Sequence, residues 1–353
     1  MIKYLGSKRT LVPVLGAIAS AVGAVTALDL FTGTTRVAQE LKRRGMHVTA
    51  VDVATYAEVL ARCFIASDAA EVDPDELATA LARLADVPGR RGYVTRTFCE
   101  EARYFQPKNG QRIDAIRDAL DEWYAGTPLF PILLTSLMLA ADRVDSTTGV
   151  QMAYLKEWAP RSHNDLELRL PELIRGPGSA VRGDATALVG ALPRVDLAYV
   201  DPPYNQHRYF TNYHVWETLV RWDAPEHYGV ACKRLDSRDV ATKSAFNRRR
   251  EMPDALRDVL TRLSADVVVV SHNNEAWVSP GEIADWLRAA GHEQIATLDF
   301  DRKRYVGAQI GIHDPQGRKV GAVSHLRNIE HVLVAGPIDR VEAAVEAATS
   351  STR

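Results

Sequence analysis

The sequence is short of several features that would settle its class at once. Its three cysteines, Cys63, Cys99 and Cys232, are scattered, with no C-x-x-C pair and no Cys/His ligand spacing. That pattern argues against a disulfide framework and against a zinc or other metal site, and fits a reducing cytoplasm. No long bilayer-spanning run is expected. The N-terminal stretch "LVPVLGAIASAVGAV", preceded by Lys3, Lys8 and Arg9, looks superficially like a secretory signal. It is weakly hydrophobic, however, and too short to span once Pro13 and Asp29 bound it. Leu11, Val14, Leu15, Ile18 and Val22 instead fall at helical spacing, and Pro13 suits a first turn. The reading is a core-packing helix with no targeting or membrane segment.

Charge of one sign is also missing. With 43 basic and 45 acidic residues the net charge is -2, which neither demands nor excludes a polyanionic partner. What matters is then where the charges lie. Residues 67–86 are acidic (Asp68, Glu71, Asp73, Asp75, Glu76, Asp86), whereas "CKRLDSRDVATKSAFNRRR" and "DFDRKRY" are locally basic. There is no internal repeat and no low-complexity tract. At 353 residues the chain is long enough for one large domain or two smaller ones.

What is present reads as alternating strands and helices. "VTALDLF" is an apolar strand, "TGTT" a turn, "RVAQELKRRG" a helix with Val37 and Leu41 inward and Gly45 as its cap, and "HVTAVDV" a second strand ending near Asp52. That is the opening of a doubly wound α/β sheet. The same grammar returns after about residue 180 in "AVRGDA", "DLAYVDPPY", "DVVVVSHNN", "EQIATLDF" and "EHVLVAG". Between the halves, residues 55–178 are mostly helical. Their loops are expected to carry Arg90, Arg91, Arg96, Lys108 and Arg112 beside Tyr93, Phe98, Tyr104 and Phe105. The expected organisation is a catalytic α/β domain from 1–54 and 179–340, an inserted helical domain at 55–178, and a frayed C-terminal tail at 341–353.

Two motifs carry chemistry. Asp52 lies about twenty residues beyond Gly33, the spacing at which an open α/β sheet holds a ribose hydroxyl. The turn Phe31-Thr32-Gly33-Thr34-Thr35 has a single glycine where a dinucleotide site needs G-x-G-x-x-G. A nucleoside without phosphates, such as S-adenosylmethionine, needs only one tight turn and an acid; an ordinary strand-to-helix turn remains the alternative. Asp201-Pro202-Pro203-Tyr204 is far more specific. The exocyclic amine of adenine is a poor nucleophile because its lone pair is delocalised into the ring. A carboxylate and a backbone carbonyl that both accept from that amine localise the lone pair for attack. Two prolines restrict the torsions that hold the Pro202 carbonyl in place, and the Tyr204 ring offers a stacking face to a base taken out of the helix.

"KYLGSK" at 3–8, "DLFTGT" at 29–34, Asp52, "RGDA" around Asp184 and "DPPY" follow in this order, with the large insertion after Asp52. The chain thereby resembles the Dam-like, alpha-group class of DNA adenine methyltransferases, and most of all the modification enzymes of restriction systems. There "DPPYN" is followed by a Tyr and "NYH…ET", as in Asn205, Tyr209, Asn212, Tyr213, His214, Glu217 and Thr218. The stretch from Lys303 to Val334 resembles that group's last hairpin. The resemblance covers both α/β halves well and the insertion loosely. It implies a Rossmann-like S-adenosylmethionine-dependent methyltransferase sheet with an inserted target-recognition domain. Asp29, Phe31 and Gly33 would line the cofactor, Asp52 would hold its ribose, and Asp184 would accept from its adenine amine. Tyr4, Gly6, Ser7 and Lys8 would close over the methionine end or the flipped base. Asp201, Pro202 and Tyr204 would be catalytic. Many members carry a second glycine where this chain has Thr35.

For duplex DNA, Lys8, Asn205, Arg208, Tyr209, Lys243, Arg248, Lys303 and Arg304 are the expected contacts. The insertion's basic and aromatic loops would position phosphates and read base edges. A separately encoded restriction endonuclease is a possible partner. His207 and His214 are read as loop hydrogen-bonders rather than bases, and "SHNN" (271–274) either lines the target pocket or simply ends its strand. Methylation of cytosine N4 or of adenine in RNA, and a catalytically silent DNA-binding module, stay open as alternatives. A nicotinamide oxidoreductase is disfavoured by the single-glycine turn.

Overall fold

A computed structural model describes residues 2–4, 8–203, 206, 208–303 and 327–351. Nine strands are ordered within it: β1 (Thr26–Asp29), β2 (His47–Asp52), β3 (Gly178–Arg182), β4 (Val195–Val200), β5 (His227–Tyr228), β6 (Lys233–Arg234), β7 (Ala265–Asn273), β8 (Gln294–Lys303) and β9 (Arg327–Gly336). Seven form one mixed sheet in the order β3-β2-β1-β4-β7-β9-β8, and β5 with β6 makes a separate ribbon. The pairs β2–β3, β1–β4 and β4–β7 are parallel, while β9 runs antiparallel to both β7 and β8. The strand order reverses direction between β1 and β4, the point at which open α/β sheets take their ligands at the carboxyl ends of strands.

By compactness the chain falls into two units. The first comprises residues 1–7, 32–183 and 208–243; the second comprises 8–31, 184–207 and 244–353. In the first unit β2 pairs with β3, and the helices α2 (Arg36–Arg43), α3 (Thr55–Ala61), α4 (Pro74–Ala85), α5 (Pro107–Tyr124) and α6 (Phe130–Val144) surround a core of their own. Helix α6 is apolar on nearly every face, with Ile132, Leu133, Leu134, Leu137 and Met138 all buried, so it is a core element rather than a surface helix. Phe98, Tyr104 and Phe105 also sit in this core, each at most 1% exposed.

In the second unit the strands β1, β4 and β7 read as near-continuous apolar runs because a central parallel strand is covered on both faces. Helix α1 (Val12–Ala21) buries Val14, Leu15 and Ile18, as its spacing predicts. The C-terminal segment is not frayed: Ile338–Ser350 is a helix that buries Val341, Ala344 and Ala348 and packs on α1. Its Val/Ala face gives it a core to join. No helix among the described residues is long and apolar enough to cross a membrane.

Candidate active site

In the first unit the acid at the end of β2 organises the turn after residue 31. The Gly33 amide donates to Asp52 Oδ2 and the Ala54 amide to Asp52 Oδ1, both at 2.9 Å. The Val53 amide is a third backbone donor to this carboxylate, which has about four acceptor positions, so at least one is left for a hydroxyl group. Burial raises the Asp52 carboxyl above its usual range, and these backbone donors partly offset that. Gly33 sits at φ 50, which favours glycine, and a Cβ there would stand a tight 3.1 Å from the Tyr4 ring. Thr35 also adopts the left-handed region (φ 61), where a β-branched residue is strained. Its hydroxyl compensates by donating to the Thr34 carbonyl (2.7 Å) and accepting from Gln39 Nε2 (2.8 Å). The residue that departs from the family's glycine is therefore held in a glycine-like conformation.

Tyr4 lies within an aromatic stack in the same unit. Its ring is 4.6 Å from that of Tyr213 at 17° and 5.3 Å from that of Tyr209 at 26°, and its hydroxyl is 3.1 Å from that of Tyr56. Burial pushes the Tyr4 and Tyr56 phenols well above the ordinary value, so both are neutral donors at physiological pH. Helix α7 (His214–Arg221) follows directly, and its Glu217 is fully buried. Glu217 accepts from the Thr55 amide at 2.9 Å and closely from the Thr55 hydroxyl, at the first turn of α3, just after Asp52. Glu217 falls within the "NYH…ET" pattern, but its reach as a long-range cap on the helix beyond the acid is not legible in the sequence. His214 is buried with Nε2 2.9 Å from the Gln151 carbonyl, and burial lowers it to about 3. It is a neutral hydrogen-bonder.

In the second unit Asp201 follows β4 and meets the Lys8 ammonium at 3.0 Å. Lys8 is 5% exposed and also pairs closely with Glu330 on β9. The Lys8 ammonium faces two carboxylates, and an ammonium this deep needs its counter-charges. Glu330 lies opposite Asn273 in the β7–β9 register and was missed, since nothing in "RNIEHVLV" separates an inward acid from a surface one. Ser271 and His272 at the end of β7 are buried, and burial lowers His272 to about 4. Phe31 rests edge-on against Phe246 at 5.0 Å. Asp29, at the end of β1, is buried, whereas Asp184 is an exposed N-cap that accepts from the Thr186 amide at 2.8 Å.

Gly6, Ser7, Tyr204, Asn205, His207 and Arg304 lie outside the described residues, as does the side chain of Lys303. Of the remaining DNA candidates, Arg208 is exposed, Lys243 is half-buried, Tyr209 belongs to the Tyr4 stack, and Arg248 is paired with Glu251 at 2.7 Å. Within residues 55–178 the structure corrects the expectation for three of the four aromatics. Phe98, Tyr104 and Phe105 are core, because a largely helical body of this size must bury its large side chains. Arg91 grips Glu100, Arg90 pairs with Asp118, Lys108 with Asp165, and Arg112 donates to the Ala85 carbonyl. Arg90, Arg91 and Lys108 remain more than half exposed in these surface pairs, and Lys108 and Arg112 lie on α5 rather than on a loop.

Acids thus end β1 and β2 and follow β4. The D12 class N6 adenine-specific DNA methyltransferase family matches over residues 4–268. The chain belongs to that family, and its sheet is the Rossmann-like methyltransferase fold. Type II methyltransferase M.NlaIII of Neisseria lactamica is 28% identical over 284 residues, covering 78% of this chain and 82% of the relative. Modification methylase StsI of Streptococcus sanguinis is 28% identical over 314 residues; the match covers 84% of this chain but 47% of that longer protein. Type II methyltransferase M.CviAII of Paramecium bursaria Chlorella virus 1 is 27% identical over 288 residues, covering 78% of this chain and 83% of the relative.

Proposed function

We propose that the chain methylates the N6 amine of adenine at a specific site in duplex DNA, by base flipping, as the modification arm of a restriction-modification system with a separately encoded endonuclease. The observation that carries this reading is Asp201, set on a proline-stiffened corner at the carboxyl end of β4 and oriented by a buried lysine. The Asp201 carboxylate and the Pro202 carbonyl accept from the adenine amine and turn its lone pair outward, and Tyr204 stacks on the extruded base. The amine sheds its proton readily once alkylated, so a strong base is unnecessary, in keeping with a neutral His214.

S-adenosylmethionine, when bound, supplies an electrophilic methyl group on sulfur. The residues fit it: the acceptor position left on Asp52 suits a ribose hydroxyl, Gly33 offers backbone without a side chain, and Asp184 has an oxygen left for an amine. Asp29, Phe31, Tyr4, Gly6 and Ser7 complete the proposed lining. Arg208, Lys243, Arg248, Lys303 and Arg304 are proposed to neutralise phosphates, Arg248 by exchanging Glu251 for a phosphate oxygen.

The decisive experiment is modified-base sequencing of DNA from a host carrying the gene against one lacking it, followed by nucleoside mass analysis. N6-methyladenine at one sequence context is expected. N4-methylcytosine, methylated RNA alone, or no modification despite cofactor binding would replace this reading. Asp201→Ala should abolish transfer while S-adenosylmethionine still binds.

A further inference from the structure

The ribbon of β5 and β6 turns through residues 229–232, in which Gly229 (φ 69) and Cys232 (φ 45) both adopt the left-handed region. Glycine does so freely, whereas for cysteine the conformation is strained, and such strain collects at ligand clamps and functional sites. The Cys232 amide donates to the Gly229 carbonyl at 3.0 Å, and the buried Tyr104 hydroxyl, which is 2.7 Å from the Gln151 carbonyl, shares its proton with the Ala231 carbonyl at 3.0 Å. The thiol of Cys232, a residue only 3% exposed, is thereby gathered with His227 and with Glu101, the last residue of the π-helical segment Thr95–Glu101. One sulfur, one imidazole nitrogen and one carboxylate oxygen all lie within 4.8 Å of one another. His227 Nε2 and Glu101 Oε2 are 3.3 Å apart. That is longer than a charge-assisted hydrogen bond of about 2.7–2.9 Å. It matches the ligand-to-ligand edge of a tetrahedron whose metal bonds are about 2.0–2.1 Å.

We propose that Glu101, His227 and Cys232 form a site for one divalent transition-metal ion of the zinc type, with a fourth position open to water. A sulfur, nitrogen and oxygen donor set selects such an ion over magnesium or calcium, which take oxygen ligands. The ion clamps the ribbon to the end of the π-helical segment and is independent of the residues proposed for methyl transfer. Burial, reinforced by the Glu101 carboxylate, pushes the Cys232 thiol up to about 11. Coordination therefore forms a metal–sulfur bond and releases the thiol proton to solvent. Glu101 is half exposed and His227 a quarter exposed, which gives the ion a way in.

The test titrates cobalt(II) into the full chain, reduced and stripped with a chelator. One equivalent should bind with a thiolate-to-cobalt charge-transfer band, zinc should displace it, and Cys232→Ser should remove the band. Glu101→Gln and His227→Gln should each weaken cobalt binding at least tenfold. Absence of the band in the native chain overturns the site, as does a band that survives Cys232→Ser and so arises from Cys63 or Cys99. Should Cys232→Ser fail to fold, the exposed Glu101→Gln variant decides, and unchanged cobalt affinity there overturns the proposal.

Discussion

Replacing Lys8 by methionine removes the one ammonium that Asp201 and Glu330 are seen to share. The side chains of Lys8 and Glu330 are 5% and 7% exposed, so the loss is felt in a poorly solvated setting. Breaking a buried ion pair by deleting one partner costs about 3–5 kcal/mol, because the remaining charge stays uncompensated. Here two acids remain, one of them the proposed catalytic group, so the upper half of that range is expected. Glu330→Gln alone leaves Lys8 with Asp201 and should cost less. In the Lys8→Met, Glu330→Gln double variant one of the orphaned charges is gone, and the two effects should fall short of additive by about 1–3 kcal/mol. Urea denaturation followed by fluorescence of the six tryptophans gives the shifts in midpoint at constant slope. Methyl-transfer rate is read in parallel, and Lys8→Met should lose it. Strict additivity, or a Lys8→Met penalty below about 1 kcal/mol, would refute the view that the lysine is held as a counter-charge.

Glu217→Ala should destabilise by about 1–3 kcal/mol for the unpaired Thr55 donors, whereas Glu217→Gln, which can still accept from the amide, should be far milder. Burial raises the Glu217 carboxyl, so its contribution is fullest when protonated at low pH and is lost as pH rises through that raised range; the Gln variant should flatten this slope in melts across pH. At Thr35, Thr35→Gly trades about 1–2 kcal/mol of relieved strain against two lost hydroxyl bonds. Thr35→Val keeps the strain and loses the bonds, so Val should be clearly the worse in urea; the reverse order would contradict the account of that turn. Because His214 is lowered to about 3, histidine NMR should show it neutral down to pH 5. Arg208→Ala should lower the salt slope of DNA binding by about 0.9; an unchanged slope removes it from the phosphate face.

Much of the architecture is legible in the residues because it is local. The helix after Gly33, Gly45 as its cap and Asp52 at a strand end follow from spacing and turn chemistry. The register that sets Glu330 opposite Asn273 is not local, and neither is the reach of Glu217 to Thr55. In the insertion, "YVTRTFCEEARYF" mixes cations and rings as a nucleic-acid loop would. Only packing shows that its rings Phe98, Tyr104 and Phe105 face inward and that Arg91 is tied to Glu100. The cluster of Glu101, His227 and Cys232 escaped for the same reason, since ligand spacing is a local pattern and this one joins distant segments.

The cap that Glu217 places on α3 spans 162 residues of chain. During synthesis the turn beside Asp52 therefore emerges long before its anchor does. Closing so long a loop is entropically slow to be repaid. The turn beside Asp52, proposed to hold the nucleoside, is thus finished only when the segment after the proline corner has been made, which ties the maturation of one motif to the arrival of the other.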